Sequence, residues 1–162
     1  MGGRGSSSHF VRAKIVAHNA VRRAKKMVGS SAYSRFHFKG PLIAGVNKCN
    51  LFAADAFNQS DPSIKPLLGT PDCGMLKLGI GRLREYSAKE LYDGKALKFN
   101  LVKGPRIGDI CTDGSHVGIV SGKGKTISAS ALTNKIVEND WGFRGNSGKP
   151  QPNVRFYRYN GR

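Results

Sequence analysis

Acidic residues are scarce in this 162-residue chain: 10 Asp and Glu stand against 27 Lys and Arg, a net charge of +17. A surface so basic repels itself and draws polyanions. Nucleic acid, an anionic membrane and an acidic polymer such as a bacterial wall are the partners this charge admits, and charge does not choose among them. Long apolar runs are missing as well. No stretch approaches the roughly 18 apolar residues that span a bilayer, and the Gly/Ser-rich start, Met1 to Ser8, lacks the apolar core of a signal peptide. Cysteine is sparse. Cys49, Cys73 and Cys111 are odd in number and widely spaced, which excludes a zinc-ribbon pattern and a dense disulfide framework. His9, His18, His37 and His116 show no metal-ligand spacing, so no metal and no cofactor is expected. What is present, a 39% hydrophobic share, is ordinary for a globular chain and excludes a wholly disordered one.

The order of patterns along the chain predicts a flexible lead over residues 1–8 and one domain over 9–162. Residues 9–28 read as a helix whose core stripe is Val11, Ile15, Ala20 or Val21, Ala24 and Val28. Arg12, Lys14, Arg22, Arg23, Lys25 and Lys26 make its solvated basic face. Tyr33, Phe36 and Phe38 alternate with Arg35, His37 and Lys39. Such a mix stacks bases or lines a ligand groove in some proteins, but packing is the first expectation here. Residues 47–58 read as a second helix capped by Asn47. Residues 59–83, with Pro62, Pro66 and Pro71, read as a long loop. Ser87 and Glu90 form a capping box that opens a short helix through about Tyr92. Short runs then follow at 96–102, 106–112, 117–121, 126–129, 135–141 and 154–159, parted by Gly, Asn or Pro. Helices followed by a meander of strands imply an α+β fold with an antiparallel sheet.

Chemistry enters with Cys49. If Asn47 caps, Cys49 lies in the first helical turn, where unpaired amides and the helix dipole favour a thiolate, and Lys48 adds positive charge. A thiolate is a usable nucleophile; the plainer alternative is a buried structural cysteine. The second signal is His116, which opens a strand and shares a face with Gly118 and Val120. Gly118 leaves room beside it for another element or a substrate. Asp109, after Gly108, reads as a turn residue that bonds backbone amides, with no part in catalysis.

Four stretches in order carry a family likeness: Lys48-Cys49-Asn50-Leu51-Phe52, Gly108-Asp109-Ile110, His116-Val117-Gly118-Ile119-Val120 and Val137-Glu138-Asn139-Asp140-Trp141-Gly142-Phe143-Arg144. They resemble the ordered motifs of NlpC-type papain-like peptidases and the related CHAP amidases, over roughly residues 29–159. His116 follows Cys49 by 67 positions, a gap similar to the family's. Small size and the missing signal peptide look most like a type VI secretion amidase effector of the second family. The resemblance implies a papain-like fold, N-terminal helices packed on an antiparallel sheet, and a peptidoglycan amidase or endopeptidase. Cys49 would be the nucleophile and His116 the general base. The Cys49 amide would be an oxyanion donor. The CHAP pattern places an acid and an amide at the positions of Glu138 and Asp140, so this chain has Asp140 where that pattern has the amide; Asp140 is the first choice for the group that orients His116, with Glu138 second and Asn139 third. The NlpC branch puts its polar residue one strand earlier, at Ser128, which carries no charge to hold an imidazolium.

The implied partners are peptidoglycan and an acidic immunity protein, with no specific nucleic acid and a monomeric state. The implied route is synthesis in the cytoplasm without a conventional signal peptide, then action in the periplasm or wall of a target bacterium. In an oxidising periplasm Cys73 and Cys111 would be available to pair. A phage-type lysin domain and a basic nucleic-acid-binding protein without catalysis are the competing readings.

Overall fold

The computed structural model describes residues 5–36, 48–61, 68–71, 83–141, 143 and 153–162. Among them are three helices, α1 (Gly5–Lys26), α2 (Cys49–Asn58) and α3 (Ala88–Tyr92). Strands β1 (Leu68–Pro71) and β2 (Leu83–Glu85) pair antiparallel as a separate ribbon. The main sheet holds β3 (Phe99–Val102), β4 (Ile110–Thr112), β5 (Val117–Gly122), β6 (Lys125–Ala129), β7 (Ile136–Asp140) and β8 (Arg155–Tyr159). Its order is β3-β8-β4-β5-β6-β7, antiparallel throughout. The protein is therefore α+β, as the helices-then-strands pattern predicts.

Register sorts the strand residues onto two sides, because side chains alternate and directly paired residues share a side. Tyr157, Ile110, Ile119 and Ile127 form one row across four strands. The three isoleucines are fully buried under α1 and α2, in a cluster with Phe52, Phe57, Phe99 and Ile136. Each buried isoleucine contributes about 1.5–3 kcal/mol relative to exposure. The other side is thinner: Cys111, Val120 and Phe156 pack with Val102, Trp141, Phe143 and Val154.

α2 is apolar on nearly all sides, with Leu51, Phe52, Ala53, Ala54, Ala56 and Phe57 buried, as befits a helix enclosed between α1 and the sheet. Tyr33 packs edge-on against Phe52 at 5.4 Å, and its hydroxyl donates to Asp55 at 2.5 Å. Packing is thus its role; Phe36 is exposed, and Phe38, His37 and Lys39 lie outside the described residues. The Ser87–Glu90 capping box forms with both reciprocal bonds, 3.2 and 2.9 Å.

Several expectations need correction. α1 begins at Gly5, so residues 5–8 belong to the helix and not to a lead. Its buried stripe is Val16, Ala20, Val21 and Ala24, whereas Val11 and Ile15 are 54% and 55% exposed. Alanines take the inner face because the approach is close. A Cβ on Gly108, whose φ is +90°, would stand 2.5 Å from the Ala17 Cβ. α2 starts one residue later than expected: Lys48 is its N-cap, without a side-chain capping bond, and Asn47 lies outside the described residues. The 59–83 region contains a paired strand, Leu68–Pro71, too short to show alternation.

Candidate active site

Cys49 is the first residue of α2 and is 3% exposed. The helix end has no side-chain cap from Lys48, and the amides of Cys49 and Asn50 face the sulfur instead. Burial pushes the Cys49 thiol up to about 11. The amides of Val117, Asn50 and Cys49 itself work against that rise, and the negative charge of Asp113 adds to it. The expected free thiolate therefore gives way to a neutral buried thiol. Lys48 beside it is fully buried: its Nζ donates to the Ser34 carbonyl at 3.0 Å, and burial lowers its pKa from the ordinary lysine value.

The Val117 amide at the Cys49 sulfur is the link to the second residue, because His116 immediately precedes it. His116 closes the β4–β5 loop, and its ring lies on the thin side of the sheet. There the His116 ring nitrogen Nε2 is 3.1 Å from Ser128 Oγ of β6. The Phe143 ring meets the imidazole edge-on, 4.7 Å between centroids. Gly118 makes this possible: a Cβ there would fall 2.8 Å from Phe143 and 3.3 Å from the Ser128 Cβ. Phe143 has φ +61°, in the left-handed region disfavoured for a bulky residue. Two bonds hold it, its N–H to the Asp140 carbonyl at 3.0 Å and its carbonyl to Asn139 Nδ2 at 3.2 Å.

Among the described side chains it is Ser128, not Asp140, that hydrogen-bonds the imidazole. The reason is parity. Ile127 pairs with Glu138 and Lys125 with Asp140, which assigns both acids by alternation to the helix-facing side. Glu138 accepts from Ser121 Oγ at 2.6 Å, and Asp140 is buried where its charge reaches Cys111. Asn139 shares the side of Ser128 and acts through Phe143, with its Oδ1 bonded by Thr126 Oγ1 at 3.2 Å.

Asp113, to which the sequence assigned nothing, also joins the site. Its Oδ1 accepts from the His116 amide at 2.7 Å and from the Ser115 amide and hydroxyl at 2.8 Å each. Burial opposes ionisation, but these bonds and the nearby His116 outweigh it and hold the carboxyl below its ordinary value. Asp113-Gly114-Ser115 is a turn signal of the kind that fixes an aspartate against following amides, and that was the available clue.

Asp109 is a turn residue as expected: it accepts from the Arg106 amide at 2.7 Å and is clamped by Arg158 at 2.7 and 2.9 Å. Cys111 is a buried free thiol donating to the Trp141 carbonyl at 3.5 Å; Cys73, the other half of the pairing considered, lies outside the described residues. Among the described residues no group of three His, Cys, Asp or Glu gathers as a metal would require, and no helix is long and apolar enough to cross a membrane. Comparison with protein-family models, curated proteins and solved structures finds no match for the chain.

Proposed function

We propose that the protein is a cysteine amidase with a papain-like fold of the NlpC/CHAP kind, hydrolysing amide bonds in peptidoglycan stem peptides or cross-links. One observation carries the reading: a cysteine at the head of a buried helix has its sulfur at the amide that follows a histidine, and a hydroxyl from the neighbouring strand holds that histidine's ring. A nucleophile, a base and an orienting group on three rigid elements are what acyl transfer requires.

With the thiol neutral, the cycle starts by proton transfer. His116 takes the thiol proton as the Cys49 sulfur attacks the amide carbonyl, which forms the C–S bond. The amides of Cys49 and Asn50 stabilise the oxyanion at the helix head. Collapse breaks the C–N bond, and the imidazolium returns its proton to the departing amine. Water, deprotonated by His116, then attacks the thioester, releasing the carboxylic acid and the thiol. Ser128 fixes the ring orientation.

The +17 charge favours an anionic substrate, and stem-peptide carboxylates and teichoic phosphates provide one. In this reading the enzyme is an antibacterial effector delivered to the periplasm or wall of another bacterium and restrained by an acidic immunity protein. The other delivery, as a phage lysin, uses the same chemistry. The test is mass spectrometry of purified sacculi after digestion. The reading expects stem peptides with a new amine and a new carboxyl end, with the diamino acid–D-Ala cross-link as the first bond to inspect. Cleaved glycan, or unaltered sacculi, would refute it.

A second reading has its own observation. A groove of about 1490 Å³ at the other end of β5 from His116 is lined by Lys14, Arg106, Lys123 and Arg158, with Phe10 and Trp141 beside them. Cations around aromatic rings suit a nucleic-acid strand. That reading predicts steeply salt-dependent binding that is indifferent to Cys49.

A further inference from the structure

We propose that Asp113 is the anionic partner of the His116 imidazolium, supplying the charge that Ser128 cannot. This inference rests on the cysteine amidase reading. The geometry starts from a hairpin loop that ties carboxylate and histidine together: the His116 amide donates to Asp113 Oδ1 at 2.7 Å, and the Asp113 amide reaches the His116 carbonyl at 3.4 Å. All three bonds to the carboxylate go to Oδ1. Among the described residues, Oδ2 of this part-buried group has no hydrogen-bond donor. The charge is felt on both sides of the reaction, favouring the protonated imidazole and disfavouring a lone Cys49 thiolate. Both effects hold a proton on their group, so they oppose each other in the transfer: the carboxylate keeps the thiol protonated at rest, and the loop that ties it to His116 makes its stabilisation of the imidazolium the larger effect.

Among the described residues no neighbouring cation pairs with this carboxylate. Arg155 of β8 lies 4.0 Å over the Tyr92 ring of α3, and Lys48 of α2 is held on the Ser34 carbonyl. On α3, Lys89 pairs with Asp93, and Glu90 belongs to the helix cap. Among the described residues the other titratable groups that sense Asp113 are Cys49 and Cys111, and Cys111 also senses Asp140. Asp113 is a positioning residue: it acts through His116 and touches no reacting atom.

The experiment compares the full-length wild type with Asp113→Asn, in which the amide oxygen keeps all three turn bonds and only the charge is lost. Asp113→Ser is a second charge-free variant that can cap the same turn. An NMR titration of the His116 ring is expected to move to lower pH by roughly half a unit to one unit in both variants. With peptidoglycan substrate, the acid limb of kcat/KM moves the same way, and kcat falls about three- to tenfold. A residue that only shaped the turn would leave the titration of Asp113→Asn where the wild type has it, and that result overturns the proposal. The titration needs no turnover. A wild type that hydrolyses nothing while its His116 still titrates higher than the variant's would sink the amidase reading and leave the charge pairing standing.

Discussion

Across β4, β5 and β6 the side of the sheet beneath the helices carries Ile110, Ile119 and Ile127, all fully buried, whereas the opposite side of the same strands carries Cys111, Gly118 and Ser128. The first row is large, branched and apolar; the second is small or polar. One backbone thus presents a large core on one side and, on the other, a smaller buried layer against which the His116 ring lies. The price is local: Gly118 gives up packing so that Phe143 can lie against His116, and Phe143 adopts a strained φ to reach it. The isoleucine side holds the main core together with Cys49, and the serine side holds the contacts to the His116 ring, so mutations on the two sides should have different effects.

The largest separation is expected at His116. His116→Ala lowers the rate of amide cleavage about a hundred- to ten-thousand-fold while the melting temperature and circular dichroism stay close to wild type. On the helix side, Ile119→Ala does the reverse. It costs about 2–5 kcal/mol in urea unfolding and leaves the kcat of the folded fraction unchanged. A large loss of kcat in folded Ile119→Ala would break the comparison. Ser128→Ala removes one neutral hydrogen bond, worth about 1 kcal/mol, so kcat falls roughly five- to tenfold. Asp140→Asn, on the other side by parity, keeps kcat within about twofold of wild type; steady-state kinetics of the two variants decide between Ser128 and Asp140 as orienting group. The smallest and most specific effect concerns pH. Burial holds the Cys49 thiol near 11, so in His116→Ala its alkylation, followed by peptide mapping, rises steadily with pH up to that range. An alkylation plateau near neutral pH in that variant would show that something other than His116 activates the sulfur.

Much of this arrangement was legible from residues alone, and the exceptions have physical causes. Short runs parted by Gly, Asn or Pro located all six strands of the main sheet, and the capping box located α3. The stripe of α1 was misread because hydropathy ranks Val11 and Ile15 above alanine. Close approach of the helix to Gly108 selects small residues, and the large ones face outward. The places of Cys49 at a helix start and His116 just before a strand were legible because both are local features. Which of Asp140, Glu138, Asn139 and Ser128 meets the His116 ring was not, because sharing a strand face says nothing about which face. Only the pairing of Ile127 with Glu138 fixes that, and pairing is not local. The protonation state of Cys49 was missed for a similar reason: the helix end is visible in sequence, but the burial that outweighs it is a property of the packed whole.

The central claim is that the sulfur of Cys49 is the atom that attacks. It is tested most directly by the rate at which purified sacculi release muropeptides with wild-type protein and with Cys49→Ala side by side, both confirmed folded by circular dichroism. The account predicts steady release by the wild type and a loss of about a thousandfold or more in the variant. Release by Cys49→Ala at the wild-type rate would contradict it.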